Sequence, residues 1–171
     1  GGIDDATSSL VSATFRDQED SAGYLWIIAD TATRLGLPLA IYRARHASFE
    51  SAEGRRPPAE LRLTDDRPPT HVGRALADLG IGSIPAGSPQ AKGRVERGWG
   101  TLQHRLVIEL RLAGATDRAG ADEVLAGYLP RYNARFAVPA ADPEPAWRPV
   151  PPGVDVRAAL AAVESAGDDL P

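Results

Sequence analysis

The chain has 171 residues, of which 43% are hydrophobic and 25% are charged, a composition typical of a globular domain with its own core. It contains no cysteine, which excludes a disulfide framework and a thiolate metal site, so any metal must be held by oxygen or imidazole ligands. No apolar run approaches the roughly 18 residues of a membrane span, and the N-terminus lacks the layout of a signal peptide, so we expect a cytoplasmic protein.

The net charge of −4 is unevenly distributed along the chain. Residues 137–171 carry six acids and two bases, so residues 1–136 are neutral overall. Within that neutral part, residues 88–118 carry six bases and three acids. A local basic surface can contact phosphates even when the whole chain is acidic. A solvated helix face is the alternative interpretation of the same charges.

The N-terminal part of the sequence predicts a strand, a helix and a second strand. Residues 8–16 alternate as in a strand, and an Asp-rich turn joins them to the end of a preceding strand. A helix follows, with apolar side chains at helical spacing from Tyr24 until Gly36 stops it. The short apolar run at 39–42 then predicts a buried strand.

The middle of the chain repeats this order in outline. The stretch 48–70 is rich in Pro, Arg and Glu and predicts a surface loop. Thr70 can cap a short helix that ends at Gly80, and the apolar residues of 81–85 predict another strand.

Two long helices are predicted next. Pro89 suits the first turn of one that runs to Gly114, and Asp117 starts the other, which Pro130 should bend. The first helix carries a stripe of apolar residues expected to face the core, namely Val95, Trp99, Leu102, Leu106 and Leu110. The inward residues of the second are Val124, Leu125, Tyr128, Leu129 and Tyr132. Residues 139–171 are Pro-rich and acidic and predict a peripheral tail or a small docking helix.

The helix from Pro89 combines glycines with one acidic side chain near its start. Gly93, Gly98 and Gly100 each cost about 1 kcal/mol relative to Ala in a helix interior, which indicates close approach of either a neighbouring strand or a DNA backbone. Glu96 lies four residues after Lys92. It is either one half of a surface ion pair or a catalytic carboxylate.

Eight segments of the sequence, taken together and in this order, resemble a known family. They are Ile3-Asp4-Asp5-Ala6-Thr7-Ser8, Gly23-Tyr24-Leu25, 38–42, 74–81, Ser88-Pro89-Gln90-Ala91-Lys92-Gly93-Arg94-Val95-Glu96-Arg97, 100–103, 110–114 and 128–136. The family is the integrase (DDE) catalytic core of bacterial insertion-sequence transposases. The resemblance covers residues 3–138 and implies an α/β, ribonuclease H-like fold, a mixed sheet flanked by helices, here missing its first strand. It divides the chain into a truncated catalytic core at 1–138 and a Pro-rich acidic C-terminal tail at 139–171.

The resemblance implies DNA transposition by a site in which three carboxylates hold two Mg²⁺ ions. One ion activates water or a DNA 3′-hydroxyl, and the other stabilises the leaving oxygen of the phosphodiester. Only the family's glutamate carries over, as the catalytic and metal-binding Glu96. Ala44 stands where the family has its second aspartate, and the first would lie upstream of Ile3. Asp4 and Asp5 match a turn instead, so we expect a degenerate site with lost or very weak Mg²⁺ binding and no strand transfer.

DNA binding depends on phosphate contacts rather than on the metal and is expected to survive, with transposon ends and target DNA as partners. The expected contacts are Gln90, Lys92, Arg94 and Arg97 on the helix, with Arg45 and His46 on a neighbouring loop. His46 is equally well explained as an ordinary exposed loop residue. A homo-oligomer is a further expectation, and no membrane partner is expected.

Two rival interpretations remain. One is a domesticated, non-catalytic DNA-binding or protein-interaction module that uses the strand edge exposed by the missing first strand. The other is that Gly1 marks an artificial boundary, in which case Ala44 would still impair the site.

Overall fold

Helices and short strands alternate along the chain in the computed structural model, which describes residues 1–43, 70–85, 89–158 and 160. The described strands are β1 (Gly2–Ile3), β2 (Leu10–Ser12), β3 (Leu37–Pro38), β4 (Ala40–Arg43), β5 (Gly82–Pro85) and β6 (Trp147–Arg148). The described helices are α1 (Ser21–Leu35), α2 (His71–Asp78), α3 (Pro89–Ala113) and α4 (Arg118–Phe136). Their order and approximate bounds confirm the predicted helices and the strands of the hairpin and of 81–85. The predicted loop at 48–70 lies, except for Thr70, outside the described residues.

The predicted N-terminal hairpin is present. β1 and β2 pair antiparallel, with Ile3 opposite Leu10. In the turn between them, the Oδ1 atom of Asp4 accepts hydrogen bonds from the backbone N–H groups of Ala6 and Thr7, both at 2.9 Å. Because this carboxylate supplies the acceptors that close the turn, the interpretation of Asp4 as a turn residue is confirmed.

Three helices begin at side-chain caps. The side chains of Asp20, Thr70 and Asp117 accept the backbone N–H three residues later, at 2.7, 3.1 and 2.8 Å, and so satisfy donors that a helix leaves unpaired. At the other end of α1, Gly36 has a φ of 92°, a conformation that glycine adopts without a steric penalty. The predicted starts of α1, α2 and α4 and the predicted end of α1 are therefore confirmed.

In the described residues the strands form three separate two-stranded sheets, where the sequence predicted one mixed sheet. They pair as β1 with β2, β3 with β6, and β4 with β5. The β4–β5 pair is parallel, as in the predicted strand, helix, strand order. The strand predicted at 39–42 is present as β4, but the prediction that it is buried is wrong, since Leu39 is 54% exposed and Tyr42 is 60% exposed. Tyr42 belongs to a two-stranded sheet that the described residues leave partly uncovered, and Leu39 lies directly before β4.

Two hydrophobic clusters form the core of the described residues. The first lies between α1 and α2 and includes Leu25, Ile28, Leu37, Val72 and Leu76. The second lies between β2, α3 and α4 and is built from Leu10, Leu102, Leu106, Leu125, Tyr128, Leu129 and Tyr132. The second cluster fixes α3 against the hairpin. Within the described ranges, no helix is long and apolar enough to cross a membrane.

The described part of the C-terminal segment is attached to the rest of the chain. The Nε1 atom of Trp147 donates a hydrogen bond to Asp4 at 3.2 Å, and the guanidinium of Arg148 donates to the backbone carbonyl of Leu79. Val156 and Leu160 are 6% and 2% exposed within the first cluster. The described part of 147–160 thus contributes to the core, which agrees with the small docking helix and not with a peripheral tail, because a few apolar side chains in a polar segment suffice to anchor it.

Candidate nucleic-acid interface

The site predicted from the sequence lies in the first half of α3, and packing fixes this helix from its middle onward. Leu102 and Leu106 are buried, Trp99 is half-buried, and Val95 is 43% exposed. The prediction that Val95 faces the core is therefore wrong. Its side chain lies one turn before the residues that contact the hairpin, so the helix start projects beyond the second cluster.

At Gly98, α3 closely approaches the hairpin. A Cβ atom at this position would lie 2.9 Å from the Cδ1 atom of Ile3, whereas a Cβ atom at Gly100 would meet nothing within 4 Å. Close approach of a neighbouring strand was one of the two interpretations of the glycines in α3, and it explains Gly98. At Gly100 the described residues provide no such neighbour.

A tyrosine of α4 fixes the same turn of α3. The hydroxyl of Tyr132 donates a hydrogen bond to the backbone carbonyl of Gly98, with an oxygen–oxygen distance of 3.2 Å. Burial, with the nearby Tyr128 in second place, raises the pKa of Tyr132. The hydroxyl therefore remains protonated and able to donate throughout the neutral range. The turn of α3 at Gly98, which follows the predicted site residues, is thus contacted from two sides, by Ile3 and by Tyr132.

The predicted site residues divide into two groups by where they lie. Five of the predicted residues are on one helix, α3, in its first three turns, and they are Gln90, Lys92, Arg94, Glu96 and Arg97. The side chains of Glu96 and Arg97 are exposed. Ala44, Arg45 and His46 lie outside the described residues, so the predicted neighbourhood of the loop and the helix stays a prediction.

The described residues do not fit a Mg²⁺ pair. Among residues 1–43, 70–85, 89–158 and 160, no three His, Asp or Glu side chains lie close enough to hold a metal ion together. Asp4, although close in the sequence to the expected first ligand, uses its carboxylate for the turn and for Trp147. Mg²⁺ prefers near-octahedral oxygen coordination, which one carboxylate such as Glu96 does not supply on its own.

A further group of arginines, which were not predicted as site residues from the sequence, belongs to α3 and α4. Arg105, Arg131 and Arg135 each lie over an aromatic ring of α4, with guanidinium carbons 5.0 to 5.6 Å from the ring centres. The sequence feature that could have revealed this group is the spacing of Tyr128, Tyr132 and Phe136, with one aromatic residue every four positions along a helix.

The chain is similar in sequence to known proteins of one class. The chain is 34% identical over 148 residues, 86% of its length, to a protein of Sinorhizobium fredii named "Putative transposase y4bF". It is 32% identical over 134 residues, 78% of its length, to the transposase for insertion sequence IS1202 of Streptococcus pneumoniae. The chain is therefore homologous to part of transposases of insertion sequences.

The chain spans 31% of the length of the Sinorhizobium protein and 28% of the length of the Streptococcus protein. No family model matches the chain. No solved structure matches it either.

Proposed function

We propose that this chain is a DNA-binding part of an insertion-sequence transposase, with the ribonuclease H-like fold of the integrase catalytic core. The observation that carries the proposal is the similarity to two transposases over 86% and 78% of the chain. The fold supports it through the order of elements: an antiparallel hairpin, a helix, a parallel strand pair joined through a second helix, and then the helix that bears Glu96. The ribonuclease H-like fold predicts that the hairpin and β4 share one sheet, whereas the described residues place them in separate sheets. A crystal structure of a full-length transposase containing this chain in which they share one sheet would support the proposed fold, and separate sheets in that crystal would contradict it.

The proposed mode of DNA binding uses the start of α3. This helix projects from the second cluster and carries Lys92, Arg94 and Arg97 within two turns. Guanidinium and ammonium groups on one projecting helix can reach successive phosphates of a duplex, and each phosphate contact releases counterions. Arg45 and His46 belong to the proposed contact surface because of the family resemblance.

The salt dependence of DNA binding tests this mode. We expect the Lys92→Ala/Arg94→Ala variant to bind duplex DNA more weakly. The slope of log K against log salt concentration should become shallower by about 1.8, which is about 0.9 for each lost phosphate contact. The matched control is Arg74→Ala/Arg157→Ala, which removes two exposed arginines from other elements. An unchanged slope in the Lys92/Arg94 variant would show that these side chains are not the contacts.

The second part of the proposal is that the chain performs no strand transfer. Two observations support this. Ala44 stands at the position of the second family aspartate, and Glu96 is the one predicted metal ligand among the described residues. The test incubates the purified chain with transposon-end DNA and Mg²⁺ and looks for cleaved or joined strands on a denaturing gel. A product that appears with this chain and disappears with Glu96→Gln would show that the site is active and overturn this part.

The protein-interaction module gives a different result in the same binding experiment. A chain that forms a salt-insensitive dimer and has no measurable DNA affinity would favour that alternative over a DNA-binding function. In that case the surface to examine would be the exposed apolar side chains of the β4–β5 pair. These are Tyr42 and Ile84, together with Leu39 directly before β4.

A further inference from the structure

Three arginines are held against a ladder of aromatic rings on α4. The rings of Tyr132 and Phe136 have centres 4.8 Å apart, and those of Tyr128 and Tyr132 are 6.1 Å apart. Arg105 of α3 and Arg135 of α4 both lie over Phe136, at 5.0 and 5.6 Å from its centre. Arg131 lies over Tyr128 at 5.2 Å. We call Arg105, Arg131 and Arg135 the arginine patch.

The arginine patch keeps most of its positive charge available. Arg131 forms an ion pair with Glu109, with a nitrogen–oxygen distance of 2.7 Å. In the part of the chain that the structure describes, Arg105 and Arg135 have no carboxylate within ion-pair distance. All three arginine side chains are exposed. The patch therefore has a net charge of +2 when the three guanidinium groups are summed with Glu109.

Stacking on a ring prepares a guanidinium for an anion. Where the planar face of a guanidinium lies on a ring, its N–H donors remain available along the edge in a fork that matches phosphate oxygens. Two guanidinium groups on one ring, that of Phe136, are also partly immobilised before any ligand arrives, which lowers the entropy cost of binding. The arrangement suits phosphate groups better than a flexible lysine cluster would.

The position of the patch on α3 relates it to the proposed DNA contacts. Arg94 and Arg105 are eleven residues apart, which places them within about 20° of each other around the helix and about 16 Å apart along it. Glu96 and Arg105 are nine residues apart, which places them about 180° from each other. The patch thus continues the side of the helix that bears position 94 and lies opposite the side that bears Glu96.

We propose that the arginine patch is a second contact surface for the phosphate backbone of double-stranded DNA, separate from the Glu96 side of α3. The proposal rests on the proposed DNA binding of this chain. A polyanion is the partner that fits, because the guanidinium groups belong to two helices and Arg105 lies on the side of α3 that bears position 94, about 16 Å along the helix, a distance that a single small anion does not span. Duplex DNA carries one charge per about 1.7 Å of its axis and supplies phosphates along the whole line.

The test compares binding of the full chain to a fluorescent DNA duplex of mixed sequence at several salt concentrations. The Arg105→Gln/Arg135→Gln variant should lose about tenfold in affinity at 0.1 M salt, with a slope of log K against log salt shallower by about 1.8. The matched control is Arg111→Gln/Arg157→Gln. It removes the same charge, and Arg111 lies on α3 about 120° away from Arg105. This control should keep the wild-type slope.

A third variant separates charge from folding. Arg105→Lys/Arg135→Lys keeps both charges and should retain the wild-type slope with an affinity reduced only a few-fold, since Lys contacts phosphate as a point charge. Thermal unfolding of all variants identifies any loss of folded protein. A slope that falls equally in the Arg111/Arg157 control, or that stays unchanged in the Gln variant while the wild type binds DNA, overturns the patch but leaves the proposed function standing. A wild-type chain that does not bind DNA overturns both.

Discussion

The side chain of Asn133 in α4 bonds both backbone groups of Leu10 in β2. The N–H of Leu10 donates to Oδ1 of Asn133 at 2.9 Å, and Nδ2 of Asn133 donates to the carbonyl of Leu10 at 2.9 Å. The amide of one side chain thus takes the place of a neighbouring strand. Because Leu10 is 2% exposed, water cannot easily replace these bonds. This contact joins the last helix to the hairpin and, through the second cluster, fixes α3.

Removal of this amide should destabilise the protein. The Asn133→Ala variant leaves a buried N–H and a buried carbonyl of Leu10 without partners, and we expect a loss of about 3 kcal/mol in the free energy of unfolding. Urea denaturation followed by circular dichroism measures it. Gln103→Ala removes an exposed amide from α3 and should change the stability by less than about 0.5 kcal/mol. Equal stabilities of the two variants would contradict the structural role of Asn133.

Asp4 joins the hairpin turn to the C-terminal segment. Its Oδ1 accepts from the backbone of Ala6 and Thr7, and its Oδ2 accepts from Trp147. Asp4→Ala should therefore cost about 2 kcal/mol of unfolding free energy and shift the fluorescence of Trp147 as its environment changes. The Trp26→Phe/Trp99→Phe background isolates that signal. In this background, an Asp4→Ala spectrum identical to that of the parent would contradict the hydrogen bond to Trp147.

Two glycines of α3 should respond differently to the same change. Gly100→Ala should raise the free energy of unfolding by about 1 kcal/mol, because Ala is the better helix former and the added methyl meets no neighbour within 4 Å. Gly98→Ala brings the same gain in helix propensity but places a methyl 2.9 Å from Ile3, so its net gain should be smaller or negative. Thermal unfolding of the two variants compares them directly. A larger gain at Gly98 than at Gly100 would contradict the close approach of β1.

The cap of α1 makes stability depend on pH. A hydrogen bond from Arg16, assisted by the backbone N–H of Gly23 and opposed by burial, lowers the pKa of Asp20. A carboxyl whose folded pKa is lowered adds stability above its unfolded pKa of about 3.9, and that stability disappears as the pH falls through the folded pKa. Asp20→Asn keeps a capping side chain but loses the charge. We therefore expect the wild type to be more stable than this variant at pH 6, the difference to begin to decrease near pH 4, and the difference to vanish only when the pH is below the lowered folded pKa of Asp20.

A second variant tests the cause of that shift. Arg16→Gln removes the guanidinium and should raise the pKa of Asp20, measured by NMR titration, toward the ordinary Asp value of about 3.9. A pKa that does not move would exclude Arg16 as the main cause.

Much of the local structure could be predicted from the sequence. The starts of α1, α2 and α4 follow from short polar caps before apolar residues at helical spacing, and the hairpin turn follows from Asp4. The family resemblance came from the phrase that includes Glu96, and homology to transposases agrees with it. These features are local, because a helix start or a tight turn is decided by residues within a few positions of one another.

Only the tertiary structure decided which elements meet. The two bonds between Asn133 and Leu10 join residues 123 positions apart. Arg105 and Phe136 meet because α3 and α4 pack side by side, which no local pattern specifies. The exposure of Leu39 and Tyr42 was misjudged from the sequence, which also left open whether the segment with Val156 and Leu160 docks on the core. The physical reason is that burial and long-range contacts depend on how apolar faces cover one another, whereas hydrophobic periodicity records only which residues are apolar and at what spacing.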